Sequence, residues 1–361
     1  MSGTILQIVT DTDRRGAQVF ATDLHDALAA RGRHVRTVAL AEGAVGGLDW
    51  PVLGPARKHP STIRALHDEA RRAAVIVAHG STTLPLCALV RVTSHTPFVY
   101  RQISESTFWA GTRSRRLRVR GSLTLASRVV ALWTGSARTL DTVFGVPERK
   151  IRVVPNGVPP GRFPPIDRRL TGSARAALGL DTARPTVLSI GALVPEKGVD
   201  LAIRSVAGLR DAQLLVAGDG PERAALERLA RAVAPDRIVF AGSVPEPRRC
   251  FEAADAVVLP SRGGDSMPAV LIEAGLMGVP VVATPVEGIV EITDHGRAGE
   301  LVRRDDIGDL TDAMARVLTD PTHASELARR ARAHCLANYD IDVVAEQWER
   351  VLDEALGQPA G

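Results

Sequence analysis

An α/β chain of two doubly wound parallel sheets is the fold class this sequence predicts, on three observations. Its 361 residues suggest two domains at about 100–200 residues per domain. Short apolar runs alternate with helical patterns from end to end, in two successive series. The composition, 45% apolar, 24% charged and 4% aromatic, is that of a globular chain and not a disordered or fibrous one.

The elements follow in order. The strand-like runs of the first series are Thr4–Val9, His34–Leu40, Ala74–Ala78, Pro97–Tyr100, Arg128–Leu132 and Ile151–Val154. Helical spacing shows in Phe20, Leu24, Ala27 and Leu28, and again over Ser61–Ala73. The stretch from Val154 to Pro165 is too rich in Pro and Gly to form an element and marks a junction. The second series runs through Thr186–Ile190, Gln213–Ala217, Arg237–Ala241, Ala256–Pro260 and Val279–Ala283. Continuous Val/Ile/Leu runs such as Ala256 to Leu259 fit strands buried on both faces. A terminal amphipathic helix begins near Tyr339. The expected domains are therefore 1–165 and 166–338, with 339–361 as a helix able to cross back onto the first domain. Composition does not decide which domain it covers.

Several classes are excluded. No apolar run approaches the roughly 18 residues of a membrane span, and the start lacks a signal-peptide pattern. Cys87, Cys250 and Cys335 are odd in number and far apart, which fits reduced thiols in a cytosolic protein. The few aromatics argue against a base-stacking surface, and no nucleic-acid recognition motif is present. The net charge of +4 hides an asymmetry: residues 1–165 hold 23 Lys+Arg against 11 Asp+Glu, the remainder 22 against 30. Arg113, Arg115, Arg116, Arg118 and Arg120 fall within eight residues. They read either as a solvated helix face or as attraction to an anionic acceptor or lipid surface, at the inner face of a membrane.

Parallel sheets bind ligands beyond the carboxyl ends of their strands. One such loop runs Ser261-Arg-Gly-Gly-Asp265-Ser266-Met267-Pro268-Ala269-Val270 and leads to Glu273. Pro268 suits the first turn of a helix, whose free N–H groups around Met267, Ala269 and Val270 are placed to hold a diphosphate. Asp265 and Glu273 are too far apart for a hydrolase-type acid pair. Each is able to accept hydroxyl hydrogen bonds from a sugar ring, and Glu273 reads equally as a satisfied helix acid. A second loop, Gly191 to Gly198, brings Lys197 to the start of a helix, a placement that makes sense if an anion sits there. Gly218-Asp-Gly-Pro is a generic turn. GxGxxG in its strand–turn–helix setting, GxxxxGK[ST] and GxSxG are absent, and the nine histidines show no metal-ligand spacing.

Taken together, these residues resemble the retaining glycosyltransferases of family 4. The pattern consists of the Gly191–Gly198 loop, the Gly218 turn, Phe240-Ala-Gly-Ser-Val244, Pro260-Ser261, an acid-x7-Glu pair, Gly278-Val-Pro-Val-Val-Ala283 and the turn at Gly288. Val154-Pro-Asn-Gly-Val and Arg15-Gly16 add to it. The resemblance implies the GT-B fold, two Rossmann-like domains facing across a cleft, with the acceptor on the first and the donor on the second. It implies transfer of a sugar from a nucleoside-diphosphate sugar, its co-substrate, with retention and without metal or other cofactor. Carried over, Lys197 would bind the diphosphate, Glu273 the ribose and Asp265 the transferred sugar. The segment Ser266 to Val270 would meet phosphate or sugar, Val244 the nucleobase, and Gly191 and Gly16 would let the donor approach. His79 and Arg101 read as catalytic candidates facing the crevice, with Glu105 beside them, or as ordinary strand-end side chains.

Three departures accompany the resemblance. The usual Arg beside the lysine loop is Ala192, so Arg262 or Arg101 would have to substitute. Asp265 replaces a Glu. Ile103 stands where the family often has a His. Ala192 and Ile103 motivate a second reading, a nucleotide-sugar-binding protein without catalysis; a sugar-nucleotide epimerase or phosphorylase of related architecture is a third, which no feature of the sequence favours.

Overall fold

The computed structural model of this chain describes residues 3–103, 111–264 and 266–358. It divides into two compact units, one formed by the chain up to Pro159 together with the segment from Tyr339 onward, the other by Pro160–Asn338.

In the first unit, strands β1 (Thr4–Val9), β2 (Val35–Ala39), β3 (Ala73–His79), β4 (Phe98–Arg101), β5 (Arg128–Ala131) and β6 (Ile151–Val153) form one parallel sheet in the order β2-β1-β3-β4-β5-β6. Period-2 alternation splits their side chains between two cores. Leu6, Ile8, Ile76, Ala78, Phe98 and Tyr100 face the helices Pro60–Arg72, Leu84–Ser94, Arg113–Leu125 and Thr134–Thr142. Ile5, Val75, Val77, Val99 and Val130 face the helix Gly16–Ala30 and the terminal helix Ile341–Ala355.

The terminal helix is thus part of the first unit. Asp340 caps it by accepting from the Asp342 N–H at 3.0 Å. It buries Ile341, Val344, Trp348 and Leu352 against Phe20, Leu24 and Leu28. Its acids meet the excess of arginine: Glu349 pairs with Arg31 at 2.6 Å, Asp353 with Arg33 at 2.6 Å, and Glu354 with Arg128 and Arg152 at 2.8 Å each. Such surface pairs are worth at most about 1 kcal/mol each, so the apolar face holds the helix and the charges orient it.

The first unit ends at Pro159 rather than at residue 165. Val158 explains the difference. Its N–H donates to the Tyr339 carbonyl at 2.9 Å and its carbonyl accepts from Ile341 at 3.2 Å, which fixes the junction to the terminal segment. Phe163 instead packs edge-on against Phe251 of the second unit, ring centroids 6.2 Å apart.

In the second unit β7 (Thr186–Ile190), β8 (Gln213–Ala217), β9 (Ile238–Gly242), β10 (Ala256–Leu259), β11 (Val281–Ala283) and β12 (Glu300–Leu301) form a parallel sheet in the order β12-β11-β10-β7-β8-β9. The core joins Val187, Leu214, Val216, Val258 and Val282 to the helices Val199–Gly208, Arg223–Val233 and Ile307–Thr319. Among the described residues no helix is long and apolar enough to cross a membrane.

Candidate functional site

In the second sheet the chain leaves β7 toward β8 and β9, then returns to place β10 on the other side of β7. The carboxyl ends of β7 and β10 therefore flank the switch point where parallel sheets take ligands. Both loops identified from the sequence emerge there. Lys197 ends a short 3-10 turn, Pro195–Lys197, and the helix begins only at Val199. The expectation that Lys197 itself opens the helix is corrected by Gly198, whose φ of +63° breaks the turn. The loop after β10 lies directly on this turn. The Arg262 N–H donates to the Glu196 carbonyl at 2.7 Å, and a Cβ added to Gly198 would come within 2.1 Å of the Pro260 carbonyl oxygen.

The neighbouring loops are fixed with the same economy of space. Gly191 (φ +145°) and Gly218 (φ +143°) stand where β7 and β8 end, and a Cβ on Gly218 would meet the Gly191 carbonyl oxygen at 1.8 Å. Gly218 donates to the Gly242 carbonyl at 2.7 Å, tying in the end of β9, just before half-buried Val244. Ser266 and Met267 are buried, and the Ser266 carbonyl accepts from Gly288 at 2.9 Å. Pro268 occupies the cap position and the helix Ala269–Met277 follows. Leu271 donates to the Pro268 carbonyl at 3.1 Å, so the N–H groups ahead of it, those of Ala269 and Val270 included, form the helix's positive end. Glu273 is the single titratable residue of this helix and is half-buried.

Arg262, one candidate for the cation missing at exposed Ala192, is engaged by acids of its own unit. Its guanidinium donates to both Asp200 oxygens at 2.7 and 2.9 Å, to Asp305 at 2.7 Å and to the Pro195 carbonyl at 3.0 Å. These bonds push its pKa upward and hold the Asp200 carboxyl below the usual range. The charge is spent on clamping the Lys197 turn to the loop after β10. Asp265 lies outside the described residues, as does Glu105 with the rest of 104–110.

The first unit carries its own switch point, between β1 and β3. A pocket of about 300 Å³ opens there, lined among others by Arg15, Gln18, Arg57, His79, Ser81 and Ile103. Asp11, fully buried, organises it: its carboxylate accepts from Arg15 at 2.6 and 2.7 Å, from Arg57 at 2.7 Å and from Gln18 at 2.8 Å. Asp13 lies 3.5 Å from Arg15 and is held in turn by the Val45 and Gly46 N–H groups. Gly16 begins the next helix in the open, with nothing within 4 Å of an added Cβ. The sequence named Arg15 and Gly16 but missed Asp11 and Arg57. The i,i+4 spacing of Asp11 and Arg15 is the signal that was available for the acid; Arg57 carries none.

His79 and Arg101 sit beneath this pocket, both buried. Gln7 Nε2 donates to the Ala21 carbonyl and to Thr37, so its Oε1 accepts from His79 Nε2 at 2.9 Å. The lone pair of His79 Nδ1 then faces Arg101 Nη1 at 3.4 Å. Burial, reinforced by the Arg101 charge, holds the His79 pKa well below its ordinary value, so the ring is neutral. Arg101 stacks 3.8 Å over the Phe20 ring and donates to Asn156, and burial lowers its pKa to about 9. Cys87, Cys250 and Cys335 are buried with thiol pKa values raised to about 12, 11 and 12, which makes them packing residues.

Comparison with known proteins follows the two-unit division. A family model described as Glycosyltransferase Family 4 matches residues 14–162, and one described as Glycosyl transferases group 1 matches residues 184–320. The chain is 31% identical over 266 residues to D-inositol 3-phosphate glycosyltransferase of Nocardia farcinica, a match covering 69% of this chain and 58% of that one. It is 34% identical over 181 residues to alpha-D-kanosaminyltransferase of Streptomyces kanamyceticus, covering 48% and 46%. The matched stretches thus span about half the length of these curated relatives. Among solved structures, Anabaena HepE in complex with UDP-glucose superposes with a TM-score of 0.86 at 20% identity over 97% of this chain and 99% of that one. Sucrose-phosphate synthase of Thermosynechococcus elongatus does so with 0.81 at 21% over 98% and 99%.

Proposed function

The chain belongs to glycosyltransferase family 4 and has the GT-B fold, and from that premise we propose that it transfers a sugar from a nucleoside-diphosphate sugar to an acceptor hydroxyl with retention of anomeric configuration. The observation that carries this reading is the packing of the Pro195–Gly198 turn on the loop after β10, at the switch point beside β7. It holds the Lys197 turn against the start of the segment that leads into the helix Ala269–Met277.

The chemistry asked of this assembly is electrostatic. As the bond between the anomeric carbon and the diphosphate oxygen breaks, negative charge grows on the leaving group. Lys197 and the amides ahead of Leu271 are oriented beforehand to receive it, with no metal required. A bond to the acceptor oxygen forms on the same face of the sugar, and the acceptor proton departs with the diphosphate. Glu273 accepts the ribose hydroxyls, Val244 meets the base and Asp265 the transferred sugar. The pocket of the first unit takes the acceptor. Arg15 and Arg57, both held by Asp11, suit an acceptor carrying a phosphate or carboxylate, in keeping with the substrate named for the Nocardia relative. In this reading His79 and Arg101 shape the pocket floor.

Release of nucleoside diphosphate from a nucleotide sugar, with and without candidate acceptors, tests the proposal. Acceptor-dependent release that collapses in Lys197→Ala and Glu273→Ala, both still folded, supports it. Ala192 and the committed charge of Arg262 favour a second reading, a binding protein without catalysis. Nucleotide binding with no turnover on any acceptor would select that reading, and donor conversion without acceptor would select an epimerase.

A further inference from the structure

We propose that Arg262 is a positioning residue that places Lys197 for the diphosphate, and that Asp305, which follows the edge strand β12, acts through it. The proposal deepens the transfer reading of this site and rests on it. One residue holds both carbonyls that precede Lys197. The Arg262 N–H donates to the Glu196 carbonyl at 2.7 Å, and its Nη1 to the Pro195 carbonyl at 3.0 Å. On the other side of the lysine, Gly198 backs onto the Pro260 carbonyl oxygen. The backbone at Lys197 is thus bracketed by the chain that leaves β10. That loop is itself fixed: Thr284 Oγ1 donates to the Ser261 carbonyl at 2.5 Å, and the Gly264 N–H to Glu287 at 2.8 Å.

The guanidinium of Arg262 is forked onto both oxygens of Asp200, at the second position of the helix Val199–Gly208, and its Nε reaches Asp305 at 2.7 Å. Two carboxylates offset one cation, so the cluster offers a diphosphate no net positive charge and its part is mechanical. Asp305 makes its contact at a conformational cost. It is a non-glycine residue at φ +58°, a strained region of backbone. It directly precedes Asp306, which caps the helix Ile307–Thr319 by accepting from the Asp309 N–H at 2.9 Å. Arg304 Nη1 donates back to the Arg262 carbonyl at 3.1 Å. The loops that follow β7, β10 and β12 therefore meet at one side chain. Such a contact needs donors in fixed, divergent directions, which a guanidinium has and an ammonium lacks.

Calorimetric titration with a nucleoside diphosphate that wild type binds, and with the matching nucleoside, tests this in single and paired variants. R262Q and R262K should each weaken diphosphate binding roughly 10-fold and leave nucleoside binding unchanged. D305N should weaken it less, and this variant of an exposed carboxylate carries the same comparison if R262Q fails to fold. In the Lys197→Ala background none of the three should weaken binding further, because the lysine they place is gone. Hydrogen exchange on the ligand-free chain adds a readout independent of the donor. The Lys197 and Gly198 amides, bonded to the Val194 and Pro195 carbonyls, should exchange faster in R262Q and D305N. R262K binding like wild type, or losses that add to that of Lys197→Ala, would show the Arg262 charge meeting the diphosphate directly and overturn the proposal, as would unchanged exchange at the turn. Lys197→Ala binding the diphosphate like wild type would overturn the transfer reading of the site and the proposal with it; exchange that still responds to R262Q tells that failure from a failure of the clamp.

Discussion

Gly198 lies so close to Pro260 that a Cβ on the glycine would stand 2.1 Å from the proline's carbonyl oxygen. The obstacle is backbone, and φ at Gly198 is +63°, where a side chain is strained in any case. Gly198→Ala should therefore cost about 2 kcal/mol or more of stability and displace Lys197 from the loop after β10. Denaturation and nucleotide-sugar turnover measured together check this; a stable variant with full activity would detach Lys197 from the site.

Gly16 makes the opposite case. An added methyl meets nothing within 4 Å, and alanine is the better helix former, so Gly16→Ala should leave stability unchanged or raised by a few tenths up to about 1 kcal/mol. If the donor approaches this backbone, turnover should nonetheless fall, by roughly 100-fold for a displacement of about 1 Å. Melting and kinetics separate the two effects, and unchanged kinetics would remove Gly16 from the donor path.

The buried, neutral His79 gives a pH dependence with a definite sign. Its folded pKa is depressed, so the stability it contributes is fully present above the unfolded value, about 6.5. Below that the unfolded chain takes up a proton that the folded one refuses, and stability falls by up to about 1.4 kcal/mol per pH unit for this group. His79→Asn should be less stable than wild type near neutral pH yet lose less on acidification. Parallel stability profiles would show that His79 is not the responsible group.

Trp348 is fully buried, its ring 6.5 Å from that of His79 between centroids. Trp348→Ala should cost about 3–5 kcal/mol, and removal of the segment from Tyr339 onward should unfold the first unit. Survival of that unit without the terminal helix, seen by proteolysis or calorimetry, would contradict the core described for it.

The sheets were legible because strands such as β3, β8 and β10 are buried and read as nearly unbroken apolar runs. β12 was not: Glu300 and Leu301 are half-buried and carry no run. The loop and helix positions of Lys197 and Glu273 were legible because strand–loop–helix transitions can be read locally. What escaped are partners distant in sequence. Arg57 meets Asp11 across 46 positions, and Arg262 meets Asp200 across 62. Arg262, offered from sequence as a second diphosphate cation, also clamps the lysine turn, a contact set by acids that only the fold brings near.

In the proposed reaction Lys197 holds the diphosphate and not the nucleoside. The direct measurement is calorimetric titration of wild type and Lys197→Ala with a nucleoside diphosphate that wild type binds and with the matching nucleoside. The expected result is a loss of about 10- to 100-fold in diphosphate affinity with nucleoside affinity unchanged. Equal affinity of both proteins for the diphosphate, or an equal loss for both ligands, would contradict it.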